Sequence, residues 1–566
     1  MPDGPARYPT GPGWTEGVPG LTENASGHLT RKRLGLAMLA GLLLAFAAAA
    51  RSDCLHCHEQ SNRGLIRAHQ FPDKACVRCH SGVESAQELE QAHTGLIAFP
   101  GNLENARQTC GGCHPAQVSG VFGSVMHTGS GIVSNTRDIL DGSDRIPGTD
   151  SFQSLGQGPA DSLLRKLCAS CHLGQPRLDH RIDPVRDRGG GCLACHLNEF
   201  PSDAHPALTA RVGDARCFGC HSRSGRISLS YAGLAETLPV PAAPGTAPGE
   251  NDLAQLADGR LVEHRAPDVH HLAGLACIDC HTGPGLMGLT DSIGPDEVDI
   301  ACDDCHDNRH PRIMRAEWPA DYGHMLSRIP FATSADQQFL VTGTGVPLWH
   351  IEARGGELYL HPKMGGDPIR IPVTGIDHHR QTADHQSLTC DACHSAWAPQ
   401  CHGCHLSFDP AGRQWDHVER SVTPGAWHEQ RWDIRNGPPP LGHRANGRIG
   451  VFVPGMIMSI EHPAPSAPGF VRRFAPLSPH TTGQSRTCES CHRSSIAVGL
   501  GDGRLLRDTQ GTLQFLATRP ALGDGLPADA WTSLEASGER APDPGAQPFT
   551  RSEIEAIFET PLEKPR

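Results

Sequence analysis

The first hydropathy feature of the chain is an uncharged, largely apolar run of seventeen residues, Leu34 to Ala50, behind the basic flank Arg31, Lys32 and Arg33. A basic flank, an apolar stretch and an alanine tract with A-x-A cleavage sites have the make-up of an export signal. Seventeen residues stand at the lower limit for spanning a bilayer, so cleavage near Ala50 and retention as an N-terminal anchor both remain open, with cleavage favoured. Further on, "PLWHIEARGGELYLHPK" alternates apolar and polar residues on either side of Gly355-Gly356 and predicts a β-hairpin. "NGPPPLGHRANGRIGVFVPGMIMSIEH" opens with a proline stop and predicts another hairpin around Val451 to Ile460. "FTRSEIEAIFETPL" predicts one short capped helix. Elsewhere the pattern is broken into short pieces, which predicts short helices, long irregular connections and few strands.

Composition sharpens the problem of what fills the interior. Hydrophobic residues are 38% and aromatics 5%, with 64 Gly and 47 Pro, a balance that without cofactors points to disorder. The cysteines resolve it. "CDACHSAWAPQCHGCHLSF", residues 390–408, holds two C-x-x-C pairs, a spacing that suits tetrahedral zinc, but each pair is followed at once by a histidine. C-x-x-C-H is the attachment signature of c-type haem, in which two thiols add to the porphyrin and the next imidazole coordinates iron.

The pentapeptide occurs eleven times and uses all 22 cysteines. The thioether positions are Cys54 and Cys57, Cys76 and Cys79, Cys110 and Cys113, Cys168 and Cys171, Cys192 and Cys195, Cys217 and Cys220, Cys277 and Cys280, Cys302 and Cys305, Cys390 and Cys393, Cys401 and Cys404, and Cys488 and Cys491. The proximal iron ligands are His58, His80, His114, His172, His196, His221, His281, His306, His394, His405 and His492. None of the cysteines is left for a disulfide framework, which would spread them through other spacings. Nor does the repetition suit a thioredoxin-like redox site, which occurs once per domain. Eleven covalent haem c groups would then take the place of a side-chain core. The expected fold is mainly α, with much irregular coil, a few β-hairpins and short helices at the motifs.

Histidine supply decides the coordination. Of 34 histidines, eleven are proximal and His28 lies in the leader, which leaves 22 for eleven irons, against seven methionines beyond the export segment. Bis-histidine ligation is therefore expected for most haems, at lower potential than a methionine-ligated one. The candidate distal ligands are His69, His93, His127, His180, His205, His271, His310, His385 and His480, with His270 competing with His271. His56 and His402 sit inside motifs, where they could reach only a neighbour's iron, and His361 and His379 are weaker candidates in the haem-free stretches. The chain divides into 1–50 (tail and signal), 51–315 (eight motifs), 316–386 (haem-free, with a hairpin), 387–410 (two motifs), 411–480 (haem-free), 481–500 (last motif) and 501–566 (haem-free tail).

The formal net charge is −13, and with ionised propionates the holoprotein would approach about −25. Nucleic acid and anionic membrane surfaces are poor partners for such a surface; basic faces of redox proteins are better ones. The expected partners are a membrane quinol oxidoreductase, periplasmic or outer-membrane cytochromes, or a terminal reductase. The expected location is the periplasm or the outer face of the cytoplasmic membrane, or the cell exterior.

"TCGGCHPAQVSGVFGSVMHTG", with His127 after a short helix, resembles the repeating unit of the large multihaem cytochromes that include octahaem tetrathionate reductase and hydroxylamine oxidoreductase. "GGGCLACHL", "RCFGCHSRSGRISLSYAGL", "DVHHLAGLACIDCHTG" and "PHTTGQSRTCESCHRSSIAVGLGDG" are similar to segments of exported multihaem cytochromes of respiratory bacteria. The resemblance covers roughly residues 100 to 500 and implies an all-α, haem-packed fold in which porphyrins stack in parallel or meet at right angles. It also implies two activities. One is electron conduction in extracytoplasmic respiration. The alternative is an oxidoreductase acting on nitrite, hydroxylamine or tetrathionate. The C-x-x-C-K motif of pentahaem nitrite reductases is missing, and Tyr231, Tyr322 and Tyr359 stand in no motif matching the tyrosine of hydroxylamine oxidoreductases. Lys363 could be a lysine ligand of the tetrathionate-reductase kind or a solvated lysine in a turn. No catalytic residue is assigned, and conduction is the favoured reading.

The match between cysteines and motifs makes a stoichiometric prediction. Intact mass spectrometry of the mature protein should show eleven covalent haems, and a count of ten or fewer would mean that a motif stays empty.

Overall fold

The computed structural model describes residues 76–562, with Cys54, Cys57, His58 and His69 ahead of them, apart from breaks at 87, 142–149, 179–187, 198–207, 224, 239–252, 291–298, 308–311, 319, 373–384, 465–466 and 536–545. The apolar run of residues 34–50 lies outside the described residues. Among the described residues no helix is long and apolar enough to cross a membrane.

The expectation of a mainly α chain is overturned: 29% of residues are helical and 26% are in strands, gathered in several sheets. The strands are β1 (Leu234–Thr237), β2 (Leu253–Gln255), β3 (Leu261–His264), β4 (Arg312–Met314), β5 (Gln338–Leu340), β6 (Ile351–Arg354), β7 (Glu357–Leu360), β8 (Ile369–Ile371), β9 (Ala398–Asp416), β10 (Ser421–Gly437), β11 (Leu441–His443), β12 (Ile449–Glu461), β13 (Phe470–Pro476), β14 (Gly503–Arg507) and β15 (Leu513–Ala517). The five-stranded sheet runs β10-β9-β12-β11, with β13 also on β12. Its pairs are antiparallel except β12 on β9, where Met458 faces Cys404 and Glu461 faces Ser407.

Two predicted elements are present as read. The Gly355-Gly356 turn joins β6 to β7, with Ile351 opposite Leu360. The C-terminal helix spans Arg551–Glu559, and Thr550 and Glu553 form a reciprocal capping box at its start. The hairpin placed around Val451 to Ile460 is displaced: those residues form one long strand, β12, and the turn precedes it at "RANGR", where Gly447 has φ +78°. Asn-Gly is the sequence signal for such a turn.

The missed sheet has a physical explanation. β9 and β10 mix polar and charged residues with Gly and Pro, and much of the ribbon beyond Ser407 is solvated while Ala426, Trp427 and Asp416 are buried, so no two-residue apolar alternation shows in the sequence. It is anchored to the helical part at its far end. Arg165 reaches Asp416 at 2.8 Å in a buried ion pair, Lys166 bonds Thr423 Oγ1 at 2.7 Å, and Trp427 donates from Nε1 to Ser162 Oγ at 3.2 Å.

Apolar packing is divided among seven separate clusters. One of them joins Leu163, Leu406, Trp427 and Ile460, sealing the sheet against the helix Pro159–Leu163. Trp427 is 3% exposed and stacks near Phe408 and His462. Replacing Trp427 with Ala should destabilise this junction by about 3–5 kcal/mol, read as a lower guanidinium midpoint. An unchanged midpoint would show that the junction carries no stability.

Candidate functional site

A helical turn places residues i, i+3 and i+4 on one face, which is what two thiols and an imidazole need in order to meet one flat group. The motifs use it. Val77–His80, Cys192–His196, Ala215–His221, Cys277–Cys280, Cys302–His306, Cys390–His394 and Cys488–His492 are helical turns. Two are locked by an aspartate inside the motif. Asp279 Oδ2 accepts from the Ala276 N–H at 2.8 Å, and Asp304 Oδ2 from the Ala301 N–H at 2.7 Å.

The tenth motif departs from this, because Cys401 to His405 lie in β9. A bulge solves the geometry: Cys404 pairs with Arg431 and Cys401 with Ile434, while His402 and Trp432 have no opposite residue. The Cys401 and Cys404 thiols are thereby near enough to perturb one another's ionisation. Gly403 is required there, since a Cβ would collide with the Trp432 indole.

The proximal imidazoles are aimed by their second nitrogen. Nδ1 bonds a main-chain oxygen in His80 (Ile97, 2.8 Å), His172 (Ala169, 3.0 Å), His196 (Thr209, 2.8 Å), His306 (Pro372, 2.9 Å), His394 (Gly483, 3.0 Å) and His492 (Ile557, 2.8 Å), and bonds Ser459 Oγ in His405 (2.7 Å). That fixes the tautomer and leaves Nε2 to a metal.

Opposite six of these histidines stands a second imidazole. The ring-centre separations are 6.2 Å for His58–His93, 6.4 Å for His69–His114, 6.1 Å for His127–His172, 6.1 Å for His270–His306, 6.2 Å for His281–His480 and 6.0 Å for His385–His492. The interplanar angles range from 22° to 70°, so ring stacking is not what sets the spacing. Packed aromatics in the same chain approach more closely, as in Trp318–Phe339 at 4.6 Å. Two imidazoles on opposite sides of one metal, each bonded at about 2 Å, have ring centres about 6 Å apart. Both rings of two pairs must also be neutral to bind. Burial draws His127 down to about 4, helped by His172, and draws His281 to about 4, helped by His480.

The distal candidates His69, His93, His127, His385 and His480 therefore each face a proximal histidine. His480 adopts a left-handed backbone, φ +53°, rare for a non-glycine residue, and its Nδ1 is bonded to Ser478 O at 2.9 Å. The choice between His270 and His271 goes to His270; His271 instead lies edge-on to Tyr231 at 5.1 Å. His56, His180, His205, His310 and His379 lie outside the described residues. His402 is 2% exposed and faces the interior of the sheet beside Asp433, Arg472 and Arg519; burial first, then Arg519, takes its pKa down to about 4. His361 bonds Glu352 at 3.0 Å. Lys363 is no solvated lysine: its Nζ donates to Ile278 O at 2.6 Å, tying it to the seventh motif, and burial lowers it to about 8.

A feature that sequence spacing does not reveal is how the motifs touch. The thiols of Cys54 and Cys76, Cys110 and Cys192, Cys217 and Cys277, and Cys302 and Cys390 are close enough to perturb one another's ionisation. Electrostatic neighbours complete the joins: Cys79 with Cys110, Cys195 with Cys217, Cys280 with Cys305, and Cys393 with Cys491. The fourth motif joins the sixth through the Cys171–Cys220 thiol contact, and both Cys168 and Cys404 have Glu429 as a neighbour. The ninth motif's thiols thus meet Cys302 and Cys491, and the tenth lies toward the fourth.

One continuous cavity of about 3720 Å³ is lined by cysteines of the first nine motifs in chain order, the fourth included, and by none of the last two. It is several times the 300–1,000 Å³ of an ordinary ligand pocket. Among the described residues no three His, Cys, Asp or Glu side chains gather to hold a bare metal ion. Paired thiols on one face, opposed imidazoles and a large shared cavity fit haem c and do not fit zinc.

The family described as "Doubled CXXCH motif" matches residues 183–226, which contain the fifth and sixth motifs. The chain carries the marks of a multihaem c-type cytochrome. Its C-x-x-C-H motifs indicate covalent haem c binding and a role in electron transfer. No curated protein and no solved structure matches this cytochrome significantly.

The His270–His306 pairing is testable against its neighbour. His270→Ala should convert one low-spin ferric centre to high-spin in the EPR spectrum with the haem count unchanged, while His271→Ala should leave every centre low-spin. The reverse pattern would assign the ligand to His271.

Proposed function

We propose that this cytochrome is an exported, undecahaem electron conductor of extracytoplasmic respiration. The observation that carries the reading is the series of electrostatically neighbouring thiols through nine motifs, 54, 76, 110, 192, 217, 277, 302, 390 and 488, numbered by their first cysteine. Haem c, when bound, supplies one-electron exchange at iron. The chain supplies the rest: the motif cysteines would hold the groups in order, the opposed imidazoles would coordinate the iron from both sides, and the cavity would enclose the groups of the first nine motifs together. Motifs 168 and 401 form a side arm leaving the path at 217.

Closed axial positions favour conduction over catalysis, because a substrate needs an exchangeable one. Six proximal histidines are opposed by a second imidazole. Among the described residues no second imidazole stands beside His196 or His405, and the oxidoreductase reading concentrates on them. The acidic surface suits docking to basic faces of a quinol oxidoreductase, of periplasmic or outer-membrane cytochromes, or of a terminal reductase. The basic and apolar leader suits export to the periplasmic side, with the end of the path at motif 54 nearest that leader in sequence.

Film voltammetry of the holoprotein tests the reading. A reversible multi-electron wave, with no added catalytic current from nitrite, hydroxylamine or tetrathionate, is the expected result. A catalytic current with any of them, together with a high-spin ferric signal, would replace conduction by catalysis.

A further inference from the structure

Most of the second-nitrogen contacts described above are to neutral oxygens, and one is not. Asp268 is 2% exposed, and its Oδ1 accepts both the Nδ1–H of His270 at 2.8 Å and the His270 backbone N–H at 2.9 Å. Its Oδ2 accepts the Thr482 backbone N–H at 2.6 Å. Both oxygens are thus engaged, and the carboxylate is held in one orientation by the start of the helix Val269–Leu272 on one side and the Thr482 segment on the other. By contrast, the Nδ1 acceptors of His172, His306, His480 and His492 are main-chain carbonyls.

A carboxylate accepting the Nδ1–H of a metal-bound imidazole draws the proton away from the ring and makes Nε2 a stronger donor. A stronger donor stabilises the ferric state relative to the ferrous, and a buried negative charge a few ångströms further out acts in the same sense. The eighth motif adds two acidic residues of its own, Asp303 and the buried Asp304, the second of which is committed to the Ala301 and Gly343 N–H groups.

We propose that Asp268 is a positioning residue that lowers the reduction potential at the eighth motif through His270, making this site an uphill step between the seventh and ninth. The proposal rests on the reading of His270 and His306 as the axial pair of one haem. Its consequence for the path is specific. Cys305 of the eighth motif has Cys280 of the seventh as an electrostatic neighbour and Cys302 has Cys390 of the ninth, which puts the eighth motif beside both. A low-potential site there lets electrons cross while discouraging them from resting at the midpoint, so the two halves fill as separate pools.

The test uses the full-length holoprotein with Asp268→Asn and Asp268→Glu. For Asp268→Asn the expected result is eleven haems by mass, all centres low-spin, one midpoint potential moved in the positive direction and one low-spin EPR signal with altered g anisotropy; Asp268→Glu should remain closer to wild type. Unchanged potentials with a full haem count overturn the proposal. A new high-spin signal in Asp268→Asn would show that His270 has been released, making Asp268 a structural support only, and also overturns it. If Asp268→Asn fails to mature, the wild-type spectrum decides: one low-spin species must show the compressed g anisotropy of an imidazolate-like ligand, and its absence counts against the proposal. Failure of the axial-pair reading is distinguishable, since then His270→Ala would leave all centres low-spin.

Discussion

Two imidazoles sharing one iron would have ring centres about 6 Å apart, and six histidine pairs among the described residues stand at that separation. The six pairs draw together segments that nothing else would bring into register. His480 comes from the far end of β13 to oppose His281, and His385 crosses to the last motif to oppose His492. Such long closures are entropically costly for a chain with so little apolar side-chain surface, and a covalent, ligated plate at each junction is what offsets the cost. The second nitrogen of each ring then stitches the junction to a further element. His492 bonds the carbonyl of Ile557, so the C-terminal helix becomes part of the last site. Arg493 strengthens the same contact through Phe558 O and Thr560 O.

The seven small apolar clusters follow from the same constraint. Where the motifs lie, side chains line a cavity and pack only in small groups, as Val118, Val121 and Leu173 do beside Cys110 and Cys192. Where they do not, ordinary cores appear, as in the sheet, where Phe452, Phe474 and Trp531 are almost completely buried together. The low hydrophobic content signals missing core correctly, but it is averaged over two kinds of architecture. The sheet is a conventional β-structure whose inner face is apolar, and the motif-bearing remainder is a wrapping.

The sites were far more legible in the sequence than the fold. Spacing alone identifies thiols and proximal histidines, because attachment chemistry demands contiguous residues. Distal ligands are harder, since any histidine at the right place in space will serve. Isolation in a short segment beside a motif singled out His69, His93, His127, His385 and His480, whose rings lie near proximal histidines; of His270 and His271 it is His270 whose ring lies near His306, and His402 and His361 have other neighbours. The β9–β10 ribbon was lost because its outer half is largely solvated and its buried Ala426 and Trp427 are adjacent, so no apolar period marks it. Its motif misled as well: C-x-x-C-H implies a helical turn elsewhere in the chain, and only the bulge opposite Trp432 lets a strand bring Cys401 and Cys404 together. Nor could linear order disclose spatial order. Two motifs separated by six residues, 390 to 394 and 401 to 405, turn their thiols toward different neighbours.

That divergence explains what the sheet is for. The main path leaves out the fourth and tenth motifs, and those are the two the sheet carries. Cys168 ends the turn Leu164–Cys168, whose Arg165 and Lys166 are bonded to Asp416, Glu419 and Thr423 at the tip of the β9–β10 ribbon. Cys401 and Cys404 lie in β9 itself, with Glu429 of β10 bonded to Cys404 Sγ at 3.6 Å and within electrostatic range of Cys168. A helical turn could have displayed the tenth motif equally well, but it would have ended the strand and with it the ribbon that holds the fourth. Placing the motif in a bulged strand keeps both: the ladder continues past it to Asp416, and the side arm is held rigidly against the main path at the Cys171–Cys220 contact. A branch built on a flexible loop would let that contact open and close, whereas one built on a paired strand fixes it, so the fork is a permanent feature of the path.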